Sequence, residues 1–163
     1  MSILPTKVLV ATDGSREAQL AAQTAADLSQ KTNSELHVVH VFGIAPVGPP
    51  VYPEATTLQS VEFEAESDER QRISERGARE VLEAEVQKIR SGGATVAGEH
   101  LIEGRVAPGI VGLAEELGAG LIVMGSRGLG GIRRALMGSV SDSVVRHAHC
   151  PVLVVRAEKE QAA

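Results

Sequence analysis

The feature that most constrains the fold is an alternation of short runs rich in Val, Ile and Leu with longer segments of helical periodicity. Five runs predict β-strands, at residues 7–11, 36–41, 95–102, 120–124 and 152–155. Several of these runs are apolar at consecutive positions, so both faces of the strand are expected to be buried. Strands covered on both faces are typical of a parallel sheet with helices on each side.

Four segments between these runs predict helices, because their apolar residues recur every three to four positions. The first helix follows Ser15, and its apolar face consists of Ala18, Ala21, Ala22, Ala25 and Leu28. The face of the second consists of Ala78, Val81, Leu82, Val86 and Ile89. The third carries Ile110, Leu113, Ala114 and Leu117 and ends at Gly118, and the fourth covers residues 139–147. The order βαβαβαβαβ predicts one open α/β domain with right-handed crossovers.

Length and segment composition complete the predicted domain organisation. The 163 residues fit a single domain, with a core at residues 7–156 and a frayed tail at 157–163. Residues 43–60 contain four of the seven prolines and are predicted to form a proline-rich surface loop. Five acidic residues follow within residues 62–69, and we interpret them as a solvated run at the start of a helix.

Composition excludes several function classes. Lys and Arg number 16 against 21 Asp and Glu, a net charge of −5, so bulk electrostatic binding to nucleic acid or to an anionic membrane is not expected. One Tyr, two Phe and no Trp leave no aromatic platform for stacking single-stranded bases. The lone Cys150 suits a reducing compartment, and the cytoplasm is therefore predicted. No apolar run approaches the 20 or so residues of a membrane span.

A glycine-rich segment, residues 125–139, connects the fourth strand to the fourth helix. Glycine lets the backbone approach a ligand without a Cβ in the way, and a helix N-terminus offers unpaired N–H groups. The segment carries Arg127, Arg133 and Arg134 with no acidic residue before Asp142, a local charge of +3 in an acidic protein. It therefore predicts a site for an anion.

Structural alternatives to that site stay open at this stage. The glycines are also explained by turn chemistry, and Gly138-Ser139 by a helix start in which Ser139 caps and Asp142 completes a capping box. No Gly is followed by Lys, which excludes a P-loop nucleotidase. The first strand ends in Ala11-Thr-Asp-Gly-Ser15 without a G-x-G-x-x-G pattern, which disfavours a dinucleotide dehydrogenase.

Asp13 and several other polar residues each have a chemical and a structural interpretation. At the carboxyl end of a strand, Asp13 suits a ribose hydroxyl or a phosphate-bound Mg²⁺, or it opens the first helix as a turn residue. His147, His149 and Cys150 lie within four residues, too close in sequence to converge easily on one metal ion. We therefore interpret them as structural residues. His37 and His40 are predicted on opposite faces of the second strand as hydrogen-bonded imidazoles. Residues 91–93, Ser-Gly-Gly, are interpreted as a helix C-cap rather than a phosphate loop.

Three stretches together resemble the universal stress protein family. These are the opening Val8-Leu-Val-Ala-Thr-Asp13-Gly-Ser, the spaced pattern Gly125-x-x-Gly128-(nine)-Gly138-Ser139, and the closing His147-Ala-His-Cys-Pro151-Val-Leu-Val-Val155. The match covers residues 7–156 without a gap. The resemblance is to the branch of the family that binds ATP.

The resemblance implies a fold and a ligand. The fold is an open, doubly wound five-stranded parallel sheet of order 3-2-1-4-5, similar to the adenine-nucleotide α-hydrolases and Rossmann-like. ATP is expected between the ends of strands one and four. A Mg²⁺ ion bound through the ATP phosphates would lie at Asp13. The residues that the resemblance assigns to ATP are Ala11, Thr12, Asp13, Val41, Met124, Gly125, Arg127, Gly128, Gly138, Ser139, Val140 and Ser141.

The resemblance also implies a role: a cytoplasmic homodimeric nucleotide sensor that acts in stress response or growth arrest through an unknown protein partner. An apolar edge strand invites pairing with a second copy, and the dimer interface is assigned to Val152, Leu153, Val154 and Val155. No catalytic residue is assigned, since only Asp13 and Arg127 are available and both suit ligand binding better. The alternatives are a slow ATPase or nucleotidyl-transferring enzyme of the same fold, and a nucleotide-free interaction protein.

Overall fold

Parallel strands alternate with helices throughout the part of the chain that the computed structural model describes, residues 4–43, 57–127 and 137–157. The strands are β1 (Lys7–Ala11), β2 (Glu35–Phe42), β3 (Gly98–Glu103), β4 (Leu121–Gly125) and β5 (Val152–Val155). The helices are α1 (Arg16–Thr32), α2 (Thr57–Ser91), α3 (Val106–Leu117) and α4 (Ser139–His147). Every predicted element is present, and β1, β5 and α4 have the predicted bounds.

The five strands form one parallel sheet of order β3-β2-β1-β4-β5, which confirms the predicted topology. In the centre of the sheet Val10 is paired with Val38 of β2 and with Val123 of β4. The chain builds outward from β1 to β2 and β3, then crosses back to add β4 and β5 on the other side. The strand order therefore reverses between β1 and β4, and a crevice opens at such a point in α/β sheets.

Two hydrophobic layers cover the sheet because its strands are apolar on both faces. Helices α1 and α2 cover one face, where Val8, Val10 and Val38 are fully buried. Helices α3 and α4 cover the other, where Leu9 and Val39 are fully buried. This double coverage is what the apolar strand runs predict.

Helix ends follow local sequence signals. The Ser15 side chain caps α1 by accepting a hydrogen bond from Ala18 N at 3.2 Å, as serine commonly does at this position. Helix α3 ends at Gly118, which adopts the left-handed conformation at φ 64°. Helix α2 ends at Ser91 and is followed by Gly93 at φ 92°, so the interpretation of residues 91–93 as a helix end is confirmed.

Helix α2 corrects two expectations about the segment before it. The helix begins at Thr57, so residues 57–60 are helical and the predicted loop is shorter at its C-terminal side. The acidic run at residues 62–69 lies inside α2 rather than in its first turn, which contains no acidic residue. Residues 44–56 lie outside the described residues. No helix in the described part of the chain combines the length and apolar character needed to cross a bilayer.

Candidate functional site

The candidate site lies at the carboxyl ends of β1 and β4, where the strand order reverses. Strand β1 ends at Ala11 and β4 at Gly125, and the paired register of the two strands places these ends side by side. The N-termini of α1 and α4 follow these two strand ends, at Arg16 and Ser139. Two helix N-termini therefore begin at the reversal point, and the first N–H groups of a helix have no partner within the helix itself.

The turn after β1 is fixed by its own polar groups. Thr12 N donates to Val39 O at 2.9 Å, Gly14 N donates to Thr12 Oγ1 at 3.2 Å, and Ser15 N donates to Asp13 Oδ1 at 2.9 Å. Gly14 adopts φ +80°, a conformation that favours glycine. Asp13 therefore serves as a turn residue that opens α1, and its role toward a ligand stays a prediction.

A glutamate that the sequence analysis missed joins α1 to the loop after β4. Glu17 Oε2 accepts hydrogen bonds from Ser126 Oγ at 2.5 Å and from Arg127 N at 2.7 Å, and Ala157 N lies 3.5 Å from Glu17 Oε1. Ala157, predicted as the start of the frayed tail, is therefore in contact with the domain. Acidic residues are common in the first turn of a helix because they interact favourably with the helix dipole, so the position of Glu17 in the sequence does not indicate this contact.

The network around Glu17 sets its protonation. Burial acts to raise the pKa of this carboxyl. Hydrogen bonds from Ser126, Arg127 and Ala157, together with the positive charge of Arg127, outweigh burial and hold the pKa of Glu17 below its ordinary value. Glu17 is therefore an ionised clamp on the Ser126–Arg127 backbone at neutral pH.

Hydrogen bonds to the carbonyl of Ser126 hold the start of α4 next to the end of β4. Ser126 is fully buried, and its carbonyl oxygen accepts from Gly138 N at 2.6 Å and from Ser141 Oγ at 2.8 Å. Ser126 N donates to Val155 O at 2.8 Å. The Ser141 hydroxyl thus uses its single proton to join α4 to the residue after β4, and toward a ligand it could act only as an acceptor without breaking this bond.

Helix α4 begins without a side-chain cap. Its N-cap is Gly138, at φ −72° and ψ 162°, and Ser139 is the first helical residue with an exposed side chain. The capping-box interpretation, in which Ser139 caps and Asp142 reaches back, is wrong, because Asp142 instead accepts from Arg146 Nε at 2.9 Å. Because the cap residue Gly138 has no side chain, it cannot accept hydrogen bonds from the first N–H groups of α4 as a serine or aspartate cap would.

At two of the predicted site glycines a side chain would be tightly packed against another segment of the protein. A Cβ at Gly125 would lie 3.0 Å from Glu17 Cβ and 3.2 Å from Ala18 N, inside α1. A Cβ at Gly138 would lie 3.1 Å from the Ser126 carbonyl oxygen. Both absent side chains let α1 and α4 approach the β4 end closely. Gly128 lies outside the described residues, as do Arg133 and Arg134.

The remaining predicted residues divide into those at the reversal point and those behind it. Met124 is the penultimate residue of β4 and is 5% exposed, and Val140 is half-buried in the first turn of α4. The Val41 side chain is buried against α3, where a Cβ on Gly109 would lie 3.1 Å from it. Any contact from Val41 to a ligand must therefore use its backbone.

The two strand histidines are on opposite faces of β2, as predicted, and both are hydrogen-bonded. His37 is buried, and its Nδ1 lies 3.1 Å from His100 Nε2 on β3. His40 Nδ1 lies 2.7 Å from the Thr12 carbonyl oxygen, to which it donates. Within residues 4–43, 57–127 and 137–157 no group of three His, Cys, Asp or Glu side chains is arranged to bind a metal.

Comparison with known proteins places this geometry in a family. The sequence pattern of the universal stress protein family matches residues 5–156. A universal stress protein of Methanocaldococcus jannaschii is 32% identical over 156 residues, which cover 95% of this chain and 84% of the relative.

Two solved structures of universal stress proteins share the fold of this chain and about a quarter of its sequence. A universal stress protein in complex with cAMP is 25% identical at a TM-score of 0.64, covering 93% of this chain and 97% of that one. The universal stress protein from Archaeoglobus fulgidus in complex with dAMP is 26% identical at a TM-score of 0.59, covering 92% of this chain and 97% of that one. With a family match that spans nearly the whole sequence, this chain belongs to the universal stress protein family.

Proposed function

We propose that this protein binds an adenine nucleotide, with ATP as its physiological ligand, and acts as a regulatory homodimer in the cytoplasm. The observation that carries this proposal is the start of α4, whose cap residue Gly138 has no side chain and which lies against the end of β4 at the reversal point. Backbone N–H groups at such a helix start, together with the positive end of the helix dipole, suit the phosphates of a nucleotide.

The ligands of two relatives support the adenine part of the proposal. Those relatives were solved with cAMP and with dAMP, which share an adenine, a sugar and at least one phosphate. In this chain we assign the phosphates to the first turn of α4 and to Gly125, Arg127 and Gly128.

Adenine and ribose are assigned to the other strand ends. Adenine would lie by the Val41 backbone, beside the end of β1, where Ala11 and Thr12 are located. Asp13 would contact the ribose hydroxyls or a phosphate-bound Mg²⁺, because a carboxylate accepts hydrogen bonds and binds hard cations. Met124 is assigned to the wall of the site, and Ser141 supports it through the Ser126 carbonyl.

The proposed role is binding rather than turnover. Rapid hydrolysis needs groups that orient water and stabilise transferred charge, and among the described residues only Asp13 and Arg127 are candidates. A slow ATPase is the enzyme alternative. The binding role itself would be contradicted if purified protein hydrolysed ATP at an enzyme-like rate above about 1 s⁻¹ and Asp13→Ala removed that activity while ATP still bound.

Dimerisation through β5 is proposed from its position and exposure. β5 is an edge strand of the sheet, and Leu153 in it is 36% exposed. An apolar edge of this kind pairs readily with another strand, and a second copy of the same strand gives a closed symmetric pair. The cytoplasmic location rests on the lone Cys150, and a protein partner for the regulatory role is left to be identified.

A single backbone change tests the phosphate assignment. Ser139→Pro removes one N–H from the start of α4, and proline is well tolerated at the first helical position; the extended ψ of Gly138 suits a following proline. The matched control Ser139→Ala removes the hydroxyl and keeps the N–H. In calorimetric titrations with ATP, we expect Ser139→Pro to weaken binding by about tenfold and Ser139→Ala to bind as wild type. Equal affinity of all three proteins would contradict the assignment.

A further inference from the structure

The apolar face of α2 contains one buried carboxylate that no role described so far uses. Glu85 is 3% exposed and lies between Leu82 and Val86, which are 4% and 2% exposed. Leu82 and Val86 belong to the hydrophobic cluster between α1, α2 and the sheet. Burial of a carboxylate among apolar side chains costs free energy unless the group is hydrogen-bonded. The predicted helix face contained Val81 in this region and omitted Glu85.

The hydrogen-bond partner of Glu85 lies in the candidate nucleotide site. Thr12 Oγ1 lies 3.3 Å from Glu85 Oε2, a contact between residues 73 positions apart. The same hydroxyl oxygen accepts Gly14 N at 3.2 Å, so its single proton is directed to the carboxylate. Glu85 therefore fixes the orientation of the Thr12 hydroxyl.

Every polar group of Thr12 is hydrogen-bonded. Its N–H donates to Val39 O at 2.9 Å, its carbonyl accepts from His40 Nδ1 at 2.7 Å, and its hydroxyl joins Gly14 to Glu85. Strand β2 thus holds the backbone of Thr12, and helix α2 holds its side chain. The turn that presents Asp13 is fixed between the two.

We propose that Glu85 is a positioning residue for the nucleotide site: through the Thr12 hydroxyl it fixes the turn of residues 12–14 that carries Asp13. This inference rests on the proposed function. Glu85 is buried behind the turn, so it acts through Thr12 and not by contact with the nucleotide. This role explains why a glutamate occurs on an otherwise apolar face of α2.

The charged groups that act on Glu85 include Asp13, which belongs to the candidate nucleotide site. Burial is the largest influence and raises the pKa of Glu85, and the negative charge of Asp13 acts in the same direction. Lys88 of the same helix and the hydrogen bond from Thr12 oppose these effects. The negative charge of Asp13 therefore acts on Glu85, whose hydrogen bond is made to Thr12.

Three variants separate the hydrogen bond from the charge and from the packing. Glu85→Gln keeps a side-chain oxygen that accepts the Thr12 hydroxyl proton and removes the charge. Glu85→Leu removes the acceptor and continues the apolar face. Glu83→Gln, an exposed glutamate of the same helix, is the matched control.

The readout is ATP affinity by calorimetry together with the thermal midpoint of each variant. We expect Glu85→Leu to weaken ATP binding by about tenfold, Glu85→Gln to stay within about threefold, and Glu83→Gln to equal wild type. The midpoint of Glu85→Leu is expected close to that of wild type, because the relief of burying a carboxylate offsets the loss of the acceptor for the Thr12 hydroxyl. A purely structural residue would not lower affinity while stability is kept.

A fourth variant tests whether the effect passes through Thr12. Adding Glu85→Leu to a Thr12→Val background is expected to change ATP affinity less than about twofold, because the bond that connects them is already absent. A full tenfold loss in that background would overturn the inference. So would wild-type affinity in Glu85→Leu itself. Failure of wild-type protein to bind ATP at all would instead overturn the proposed function, and this inference with it.

Discussion

At the scale of single residues, Glu17 and Glu85 organise the site from opposite directions. Glu17 holds the backbone after β4 through Ser126 and Arg127, and Glu85 holds the turn after β1 through Thr12. One carboxyl has its pKa lowered by hydrogen bonds and the other has its pKa raised by burial. Both hold segments that form the site, Glu17 through Ser126 Oγ and Arg127 N and Glu85 through the Thr12 hydroxyl, so substitution at either position should alter binding without removing a ligand contact.

The clamp of Glu17 predicts a dependence of stability on pH. Because the folded-state pKa of Glu17 is depressed, its contribution is present above the ordinary pKa of a glutamate and is lost as the pH falls through the folded value. Glu17→Gln is expected to lower the free energy of unfolding by about 1 kcal/mol at pH 7. Urea unfolding of both proteins between pH 7 and pH 3 measures the difference, which should shrink toward acid. A difference that is constant with pH would contradict an ionised clamp.

At the scale of elements, Gly98 of β3 leaves room for the rings of His37 on β2 and His100 on β3. A Cβ at Gly98 would lie 2.5 Å from His37 Nδ1 and 2.8 Å from His100 Nε2. The two rings are in contact, with centroids 5.4 Å apart. Burial, with a smaller influence from His37, lowers the pKa of His100 against the opposing charge of Glu116. His100 is thus neutral at pH 7 and packs against His37 within the sheet.

Two glycine substitutions should therefore have effects of opposite sign. Gly98→Ala forces the buried His37 ring to move, and we expect a loss of about 1–3 kcal/mol in the free energy of unfolding. Gly112→Ala, in the middle of α3, meets no atom within 4 Å, and we expect a gain of about 0.5–1 kcal/mol because alanine favours the helix. Chemical denaturation measures both. Equal effects of the two changes would contradict the packing described around Gly98.

At the scale of the whole molecule, the topology brings the site together and leaves β5 at an edge. The proposed dimer predicts that a charge on β5 separates the subunits. Leu153→Glu is expected to shift the protein from dimer to monomer in size-exclusion chromatography, with an unchanged circular dichroism spectrum. Val106→Glu provides the control, because Val106 on α3 is 37% exposed, nearly the same as the 36% of Leu153. A monomeric wild type, or a Leu153→Glu variant that stays dimeric, would exclude the β5 interface.

The sequence was sufficient for the elements of this fold because each is specified locally. Apolar runs marked β1 and β5 at their observed bounds, and Ser15 and Gly118 marked helix ends where they lie. The strand order came from the family resemblance. The roles of Glu17 and Glu85 could not be predicted, since their partners are 109 and 73 positions away, and contacts of this kind arise only when crossovers bring distant strand ends together.

Native mass spectrometry of the purified protein with added ATP tests the adenine-nucleotide site directly, with Ser139→Pro measured in parallel and GTP as the competing nucleotide. We predict a complex of twice the chain mass of 17.1 kDa that carries one ATP per chain, binds GTP more weakly and loses ATP at lower collision energy in Ser139→Pro. A wild-type protein that carries no ATP, or that binds ATP and GTP equally, would contradict an adenine-nucleotide site at the ends of β1 and β4.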